Sequence, residues 1–258
     1  MPEIRPDETL EELQPGGLRI LQKRKGFRFG MDAVLLSDFA GIRPGDHVAD
    51  FGTGTGILPL LLISRGKGAL FSAFEIQEDM ADMARRTMLL NALADRVRVY
   101  CQPAEEALSV LGPRSVDAVI CNPPYGLPGT TLLNPEEGRR TARHQAEDGL
   151  QAWFRTAFQL LKGRGRFCMI YPAPRMLQAM EALDAARLAP KRFRLIYPRA
   201  DRPANLVLIE AQKDAKAMLH PMPPLIVYDA NGRETEELRR IYNGPEDGNE
   251  CGNQAMMT

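Results

Sequence analysis

His47-Val48-Ala49-Asp50-Phe51-Gly52-Thr53-Gly54-Thr55-Gly56-Ile57 decides the fold. A short strand runs directly into three glycines at alternate positions, and an apolar, helix-like stretch follows. Glycine at 52, 54 and 56 lets the backbone turn tightly and approach a ligand with no Cβ in the way. The helix that opens after the turn presents N–H groups with no partner inside the helix. Strand, glycine turn and helix in this order mark the start of a ligand-binding βα unit.

Outward from this stretch, strand-like and helix-like segments alternate from about residue 46, the pattern of a mainly parallel sheet with helices on both faces. Strands are predicted over 46–51, 69–75, 97–101, 116–121 and 166–171. Helices are predicted over 57–65, 78–92, 146–161 and 174–187, the last with proline in its first turn. In the second of these, Met80, Met83, Ala84, Met88 and Leu89 fall close to helical spacing. Residues 191–197 and 206–211 read as a closing antiparallel hairpin at the sheet edge. The loop 126–138 is longer than an ordinary connection, which in a compact domain often signals function. No repeat or linker interrupts the chain. It divides into an N-terminal extension over 1–45 packed on the catalytic domain, one α/β domain over 46–244, and a tail over 245–258 expected to be disordered.

Composition narrows the functional classes. The 258 residues are 44% hydrophobic and 26% charged, ordinary for a soluble globular protein. Lys+Arg and Asp+Glu are both 33, so the global field favours no partner, although a local basic face is enough to engage phosphates. Cys101, Cys121, Cys168 and Cys251 form no CxxC pair, and the first three lie in apolar, strand-like runs. Buried free thiols in a reducing cytosol are expected, with no structural metal. The polar, acidic start Met1-Pro2-Glu3-Ile4 does not read as a signal peptide, and the apolar run 57–63 is too short to span a bilayer. The expected location is the cytoplasm.

Charge decides what the glycine turn binds. A dinucleotide fingerprint is Gly-x-Gly-x-x-Gly, whereas this turn is Gly-x-Gly-x-Gly with Asp50 two residues before it. An acid there repels a pyrophosphate and suits a ligand bearing an ammonium and a sulfonium, which S-adenosylmethionine does. Glu75 ends the second strand, roughly 20 residues past the turn, where an acid takes both ribose hydroxyls. The structural alternatives are a turn-capping Asp50 and a solvated Glu75. After the third strand, where many such pockets carry an acid near the adenine, the chain has Gln102-Pro103-Ala104-Glu105. Proline holds the acid's place, and Gln102 is either an amide substitute or a plain loop residue.

Asn122-Pro123-Pro124-Tyr125 ends the fourth strand and supplies the acceptor half. If the first and fourth strands are neighbours, the crevice at the switch in strand order places Asn122 opposite Gly52 and Gly54. An exocyclic adenine amine is a poor nucleophile because its lone pair is delocalised into the ring. The Asn122 side-chain oxygen and the Pro123 carbonyl can hold its two N–H groups while nitrogen turns tetrahedral. Tyr125 offers a stacking face, which is worth roughly 1–3 kcal/mol for a base. The competing reading is a turn whose asparagine bonds its own backbone.

With both motifs present, the chain resembles class I S-adenosylmethionine-dependent methyltransferases of the Asn-Pro-Pro-Tyr type, and more closely the bacterial tRNA(Val) adenine-37 N6-methyltransferase family. The similarity runs from about Gly17 to Gly244 and includes Phe27-Arg28-Phe29-Gly30-Met31-Asp32, Arg143-His144-Gln145, Tyr197-Pro198-Arg199-Ala200-Asp201 and Ile241-Tyr242-Asn243-Gly244. The resemblance implies a seven-stranded Rossmann-like sheet with a reversed final strand. It also implies that Phe29, Gly30, Met31 and Asp32 lie beside the methionine end of the cofactor. Gln145, where the family often has glutamate, and Pro103 depart from the pattern.

Basic groups cluster at Arg19, Lys23, Arg24, Lys25 and Arg28, at Arg139, Arg140, Arg143 and His144, and at Lys191, Arg192, Arg194, Arg199 and Arg202. Three clusters beside functional loops favour RNA phosphates over a merely solvated face, with Arg139, Arg140 and Arg143 the expected RNA contacts. The expected activity is methyl transfer to adenine N6 in tRNA, with tRNA as partner and neither metal nor membrane involved. The alternatives are a glutamine amide in a protein, an exocyclic amine in DNA or rRNA, and a non-catalytic RNA-binding protein.

Overall fold

Asp50 and Ile120 sit side by side in the middle of the sheet, because β3 (His47–Phe51) and β6 (Val116–Cys121) are parallel neighbours in register. The computed structural model describes residues 2–13, 16–25, 30–123, 150–216 and 218–243. β3 pairs on its other side with β4 (Leu70–Phe74), and β4 with β5 (Val97–Tyr100), all parallel. Beyond β6 come β7 (Leu161–Pro172), then β9 (Leu206–Lys213), then β8 (Leu188–Arg199). β9 is antiparallel to both of its neighbours. This is the expected seven-stranded sheet with its last strand reversed.

Two short strands extend it. β10 (His220–Pro221) and β11 (Leu225–Tyr228) both add parallel to β8, giving nine strands in all. The hairpin of residues 191–197 and 206–211 is antiparallel as expected, but it is not the edge.

Period-two alternation divides the core into two layers. Val48, Ala118, Ile120, Cys168 and Ile170 face one cluster, while Ala49, Phe51, Val119, Cys121, Phe167 and Met169 face the other. The first layer is covered by α1 (Met31–Phe39), α2 (Ile57–Ser64), α3 (Glu78–Leu90) and α7 (Glu236–Asn243), which contribute Leu35, Leu60, Met88 and Ile241. The second lies under α4 (Ala107–Leu111), a helix described over 150–160 (α5) and α6 (Met176–Ala185), which contribute Ala107, Phe154 and Leu183.

The extension is structured. β1 (Glu8–Leu13) and β2 (Leu18–Lys23) form a separate antiparallel hairpin that packs through Leu13 and Ile20 into the first layer. Several expectations shift. β7 begins at Leu161, five residues earlier than its sequence suggests, and Leu89 of α3 is exposed while Ala81 and Thr87 are buried. Cys121 and Cys168 are buried thiols, but Cys101 is exposed because it follows β5 and lies outside the ladder. Loop 126–138, the tail 245–258 and Cys251 fall outside the described residues.

Candidate cofactor and acceptor site

The strand register lines up the predicted groups. Phe51 pairs with both Cys121 and Phe74, so Asn122, Gly52 and Glu75 follow one another across the carboxyl ends of β6, β3 and β4. Strand order reverses between β3 and β6, the position where open α/β sheets form a ligand crevice. The amides of Gly52 and Thr53 both donate to the Phe74 carbonyl, at 2.9 and 3.0 Å, which folds the turn back onto β4. Gly52, Gly54 and Gly56 adopt φ of 72°, 59° and 87°, a region that other residues enter only with strain. Packing adds to the requirement: a Cβ on Gly52 would lie 3.1 Å from the Trp153 ring, and one on Gly56 2.5 Å from Met88 Cε.

Glu75 is buried rather than solvated. Its Oε2 accepts from the Gly54 amide and its Oε1 from the Gln77 amide, both at 2.9 Å. Two backbone donors thus fix the carboxylate, and each oxygen keeps acceptor capacity for a further donor. Asp50 is in a harsher position. It is fully buried, and among the described residues neither of its oxygens nor the Thr53 hydroxyl has a hydrogen-bond partner. Burial pushes its carboxyl up to about 7; the Thr53 hydroxyl opposes the shift without reaching hydrogen-bond geometry, and the Glu75 charge adds to it. An uncompensated buried carboxylate is costly enough that it normally marks a ligand or a functional site.

Asn122 is half-buried and Pro123 buried at the end of β6. Gly30 is the extended N-cap of α1, with Met31 and Asp32 in its first turn. α1 packs on α2, whose first residue follows Gly56; among the described residues no hydrogen bond joins Gly30, Met31 or Asp32 to the glycine turn. Gln102 is half-buried just past β5, and Pro103 opens a 3₁₀ turn over Ala104–Glu106. Phe29, Tyr125, Arg139, Arg140, Arg143 and His144 lie outside the described residues.

The sequence reading overlooked Trp153. Its ring meets Phe51 edge-on at 5.9 Å between centroids, and its indole N–H donates to Glu105 Oε1 at 3.1 Å. The one available signal was that this is the only tryptophan in the chain.

Two basic clusters change meaning. In the first, Lys23 pairs with Asp7 at 2.7 Å, while Arg19 and Arg24 donate to the Leu90 and Pro6 carbonyls. In the third, Arg192 is held by Glu210 and the Phe39 carbonyl, and Arg194 by Glu237 and the Pro223 carbonyl. Lys191 and Arg199 are near opposite ends of β8, roughly 26 Å apart at the rise of an extended strand. Arg199 and Arg202 remain at the same end of the sheet as Asn122. Among the described residues no helix is long and apolar enough to cross a membrane, and no group of three or more His, Cys, Asp or Glu is arranged to hold a metal.

A mainly parallel sheet of this order, with one reversed strand and a glycine turn at its switch point, has the class I methyltransferase fold. The structure is similar to a predicted O-methyltransferase from Agrobacterium tumefaciens, with a TM-score of 0.66 and 24% identity over 83% of this chain and 96% of that one. It is also similar to geranyl diphosphate C-methyltransferase from Streptomyces coelicolor, with a TM-score of 0.52 and 17% identity over 70% of this chain and 78% of that one. The profile of the methyltransferase small domain matches residues 31–185, and the chain belongs to that family. Its relatives include the protein of Bacteroides thetaiotaomicron named tRNA1(Val) (adenine(37)-N6)-methyltransferase, 31% identical over 83% of this chain and 90% of that protein. The Pasteurella multocida protein of the same name is 29% identical over 81% of this chain and 86% of its own length.

Proposed function

We propose that this protein transfers a methyl group from S-adenosylmethionine to the exocyclic N6 amine of an adenine in tRNA, with position 37 as the target and the cytoplasm as the setting. The observation that carries the cofactor half is Asp50, a buried carboxylate with no hydrogen-bond partner among the described residues, beside the glycine turn and Glu75. A cationic ligand compensates that charge, and an anionic pyrophosphate would aggravate it. Glu75, already aimed by two amides, takes the ribose hydroxyls. The tRNA half is supported by the names of the relatives.

The cofactor supplies an electrophilic methyl group; the chain supplies position and polarity. Asn122 is level with Gly52, one strand away from the turn. Its side-chain oxygen and the Pro123 carbonyl accept the two N–H groups of the target amine and draw its nitrogen toward tetrahedral geometry. No strong base is required during attack, because the amine acquires its surplus proton only as the bond to carbon forms. The target base must leave its stack to reach this crevice, which costs least in an exposed loop.

Two measurements test this reading. Nucleoside mass spectrometry of tRNA from cells with and without the protein should show N6-methyladenine only in its presence. Labelled cofactor offered to separated tRNA, rRNA, DNA and protein fractions should mark tRNA, and label in another fraction would replace the substrate. For the chemistry, Asn122→Ala should lower the single-turnover rate roughly 100-fold or more, as removal of an aligned polar group does, with cofactor affinity nearly unchanged. Methylation at the parent rate would show that Asn122 does not hold the amine.

A further inference from the structure

We infer that Glu105, aimed by Trp153, reads the adenine edge of the cofactor and sets its base specificity. The inference rests on the cofactor reading above. Across the carboxyl ends of adjacent strands, about 4.8 Å apart, lie Asn122, Gly52, Glu75 and then Cys101-Gln102 beyond β5. The transferable methyl belongs at Asn122 and the ribose diol at Glu75. The base, attached to the ribose on the side away from sulfur, therefore extends over the end of β5.

The groups available there are few. Pro103 has no polar side chain, Cys101 is an exposed thiol, and Gln102 is an amide that can present either face. Glu105 differs because its direction is set. The Trp153 indole is a donor only, so its hydrogen bond at 3.1 Å orients the carboxylate without neutralising it. The same indole lies against Gly52 and stands edge-on to Phe51. It thus forms a wall from the glycine turn to the 3₁₀ turn after β5. Phe51, Phe74 and Tyr100 continue an aromatic row beneath that edge, with Phe74 and Tyr100 stacked at 5.0 Å. Next to Glu75, Ile76 leaves a large apolar side chain 69% exposed, and a base over β5 would cover it. Glu105 thus provides, from two residues further along the chain, the acid that proline displaces at 103.

Adenine turns an amino group toward a carboxylate acceptor. Hypoxanthine puts a carbonyl oxygen at the same position, and two acceptors then face each other. Binding of S-adenosylhomocysteine and S-inosylhomocysteine, measured by calorimetry on the full chain, separates the cases without any turnover. The parent should prefer the adenine form by about 10–100-fold, the usual effect of one charge-assisted hydrogen bond gained or lost. In Glu105→Gln, whose amide can turn either way, the ratio should fall to within about threefold. Trp153→Phe keeps a ring but removes the donor, and it should narrow the ratio with the fold intact by thermal melting. A parent that binds both nucleosides equally, or a Glu105→Gln variant that keeps the full preference, overturns the assignment. A parent that binds neither overturns the cofactor reading and this inference with it.

Discussion

Asp50 has a folded-state pKa of about 7, against an ordinary value of 3.8, because burial penalises its charge and Glu75 stands nearby. The other ionisable neighbour, Cys121, is itself held neutral by burial. In the ligand-free protein the folded state therefore binds a proton that the unfolded chain releases. The Asp50 contribution to stability falls as pH rises from about 4 to about 7 and levels off above that, the reverse of a salt-bridged carboxylate. A ligand ammonium or sulfonium favours the anion, so its binding should expel a proton at pH 7 and tighten as pH rises toward 8. Asp50→Asn removes the penalty and the attraction together. The variant should be more stable without ligand at pH 8, by about 1–3 kcal/mol, and unchanged near pH 4. It should also bind S-adenosylhomocysteine roughly 10–100-fold more weakly. Melting curves at the two pH values, with calorimetry in buffers of different ionisation enthalpy, check both halves. Zero proton release at pH 7, together with a melting difference between parent and Asp50→Asn that is the same at both pH values, would leave Asp50 without this role.

At the scale of elements, the β1–β2 hairpin carries a buried ion pair to α3 in addition to its apolar packing and backbone hydrogen bonds. Glu8 accepts from both terminal nitrogens of Arg86 on α3, at 2.8 and 2.6 Å, and has no solvent exposure. Arg86 holds the Glu8 carboxyl below its ordinary range. Its contribution is present above the ordinary carboxylate range and is lost as pH falls through the lowered pKa. Arg86→Met, which leaves Glu8 buried with only the Arg5 amide as a donor, should cost about 2–3 kcal/mol at pH 7. Pairing it with Glu8→Met should recover part of that loss, as a double-mutant cycle by denaturant unfolding would show; a loss in the double variant equal to the sum of the two single losses would mean that the pair does not hold the hairpin. The same hairpin shows where the sequence is hard to read. Thr9-Leu10-Glu11-Glu12 has poor strand propensity, and β1 exists because β2 and α3 hold it. α1 escaped for the opposite reason: Ala33 to Ser37 are all buried, so no polar face gives a helical period. The core strands and the glycine turn were legible because apolar runs, positive-φ glycines and the switch in strand order all require one another. Register alone then aligned Asn122, Gly52 and Glu75. Trp153 and Glu105 meet across 48 positions of sequence, a contact that no local pattern encodes.

Over the whole molecule, equal numbers of acids and bases conceal an uneven distribution, and what matters for RNA is which cations are free to exchange partners. Arg192 and Arg194 are tied into partly buried ion pairs on the body of β8, so phosphates would have to break those pairs. Arg199 and Arg202 are at the carboxyl end, on the rim that also carries Asn122. Ala173 donates to the Asn205 carbonyl there, which ties the turn bearing Arg175 to the loop bearing Arg202. Tyr228, 37% exposed, pairs in register with Arg199 and adds an aromatic face. Arg199 does form an ion pair with Asp201 at 3.0 Å, but both partners are exposed, and such pairs contribute little and exchange readily. If tRNA lies along this rim, Arg199→Ala combined with Arg202→Ala should weaken tRNA binding and leave cofactor affinity unchanged. The slope of log affinity against log salt should flatten by about 0.7–0.9 for each lost phosphate contact. Lys191→Ala, at the far end of the same strand, should leave the slope where it was. Filter binding across a salt series decides the matter. If the Lys191 variant loses as much slope as the double variant, the RNA does not follow the acceptor rim, and its path must instead cross the opposite end of the sheet.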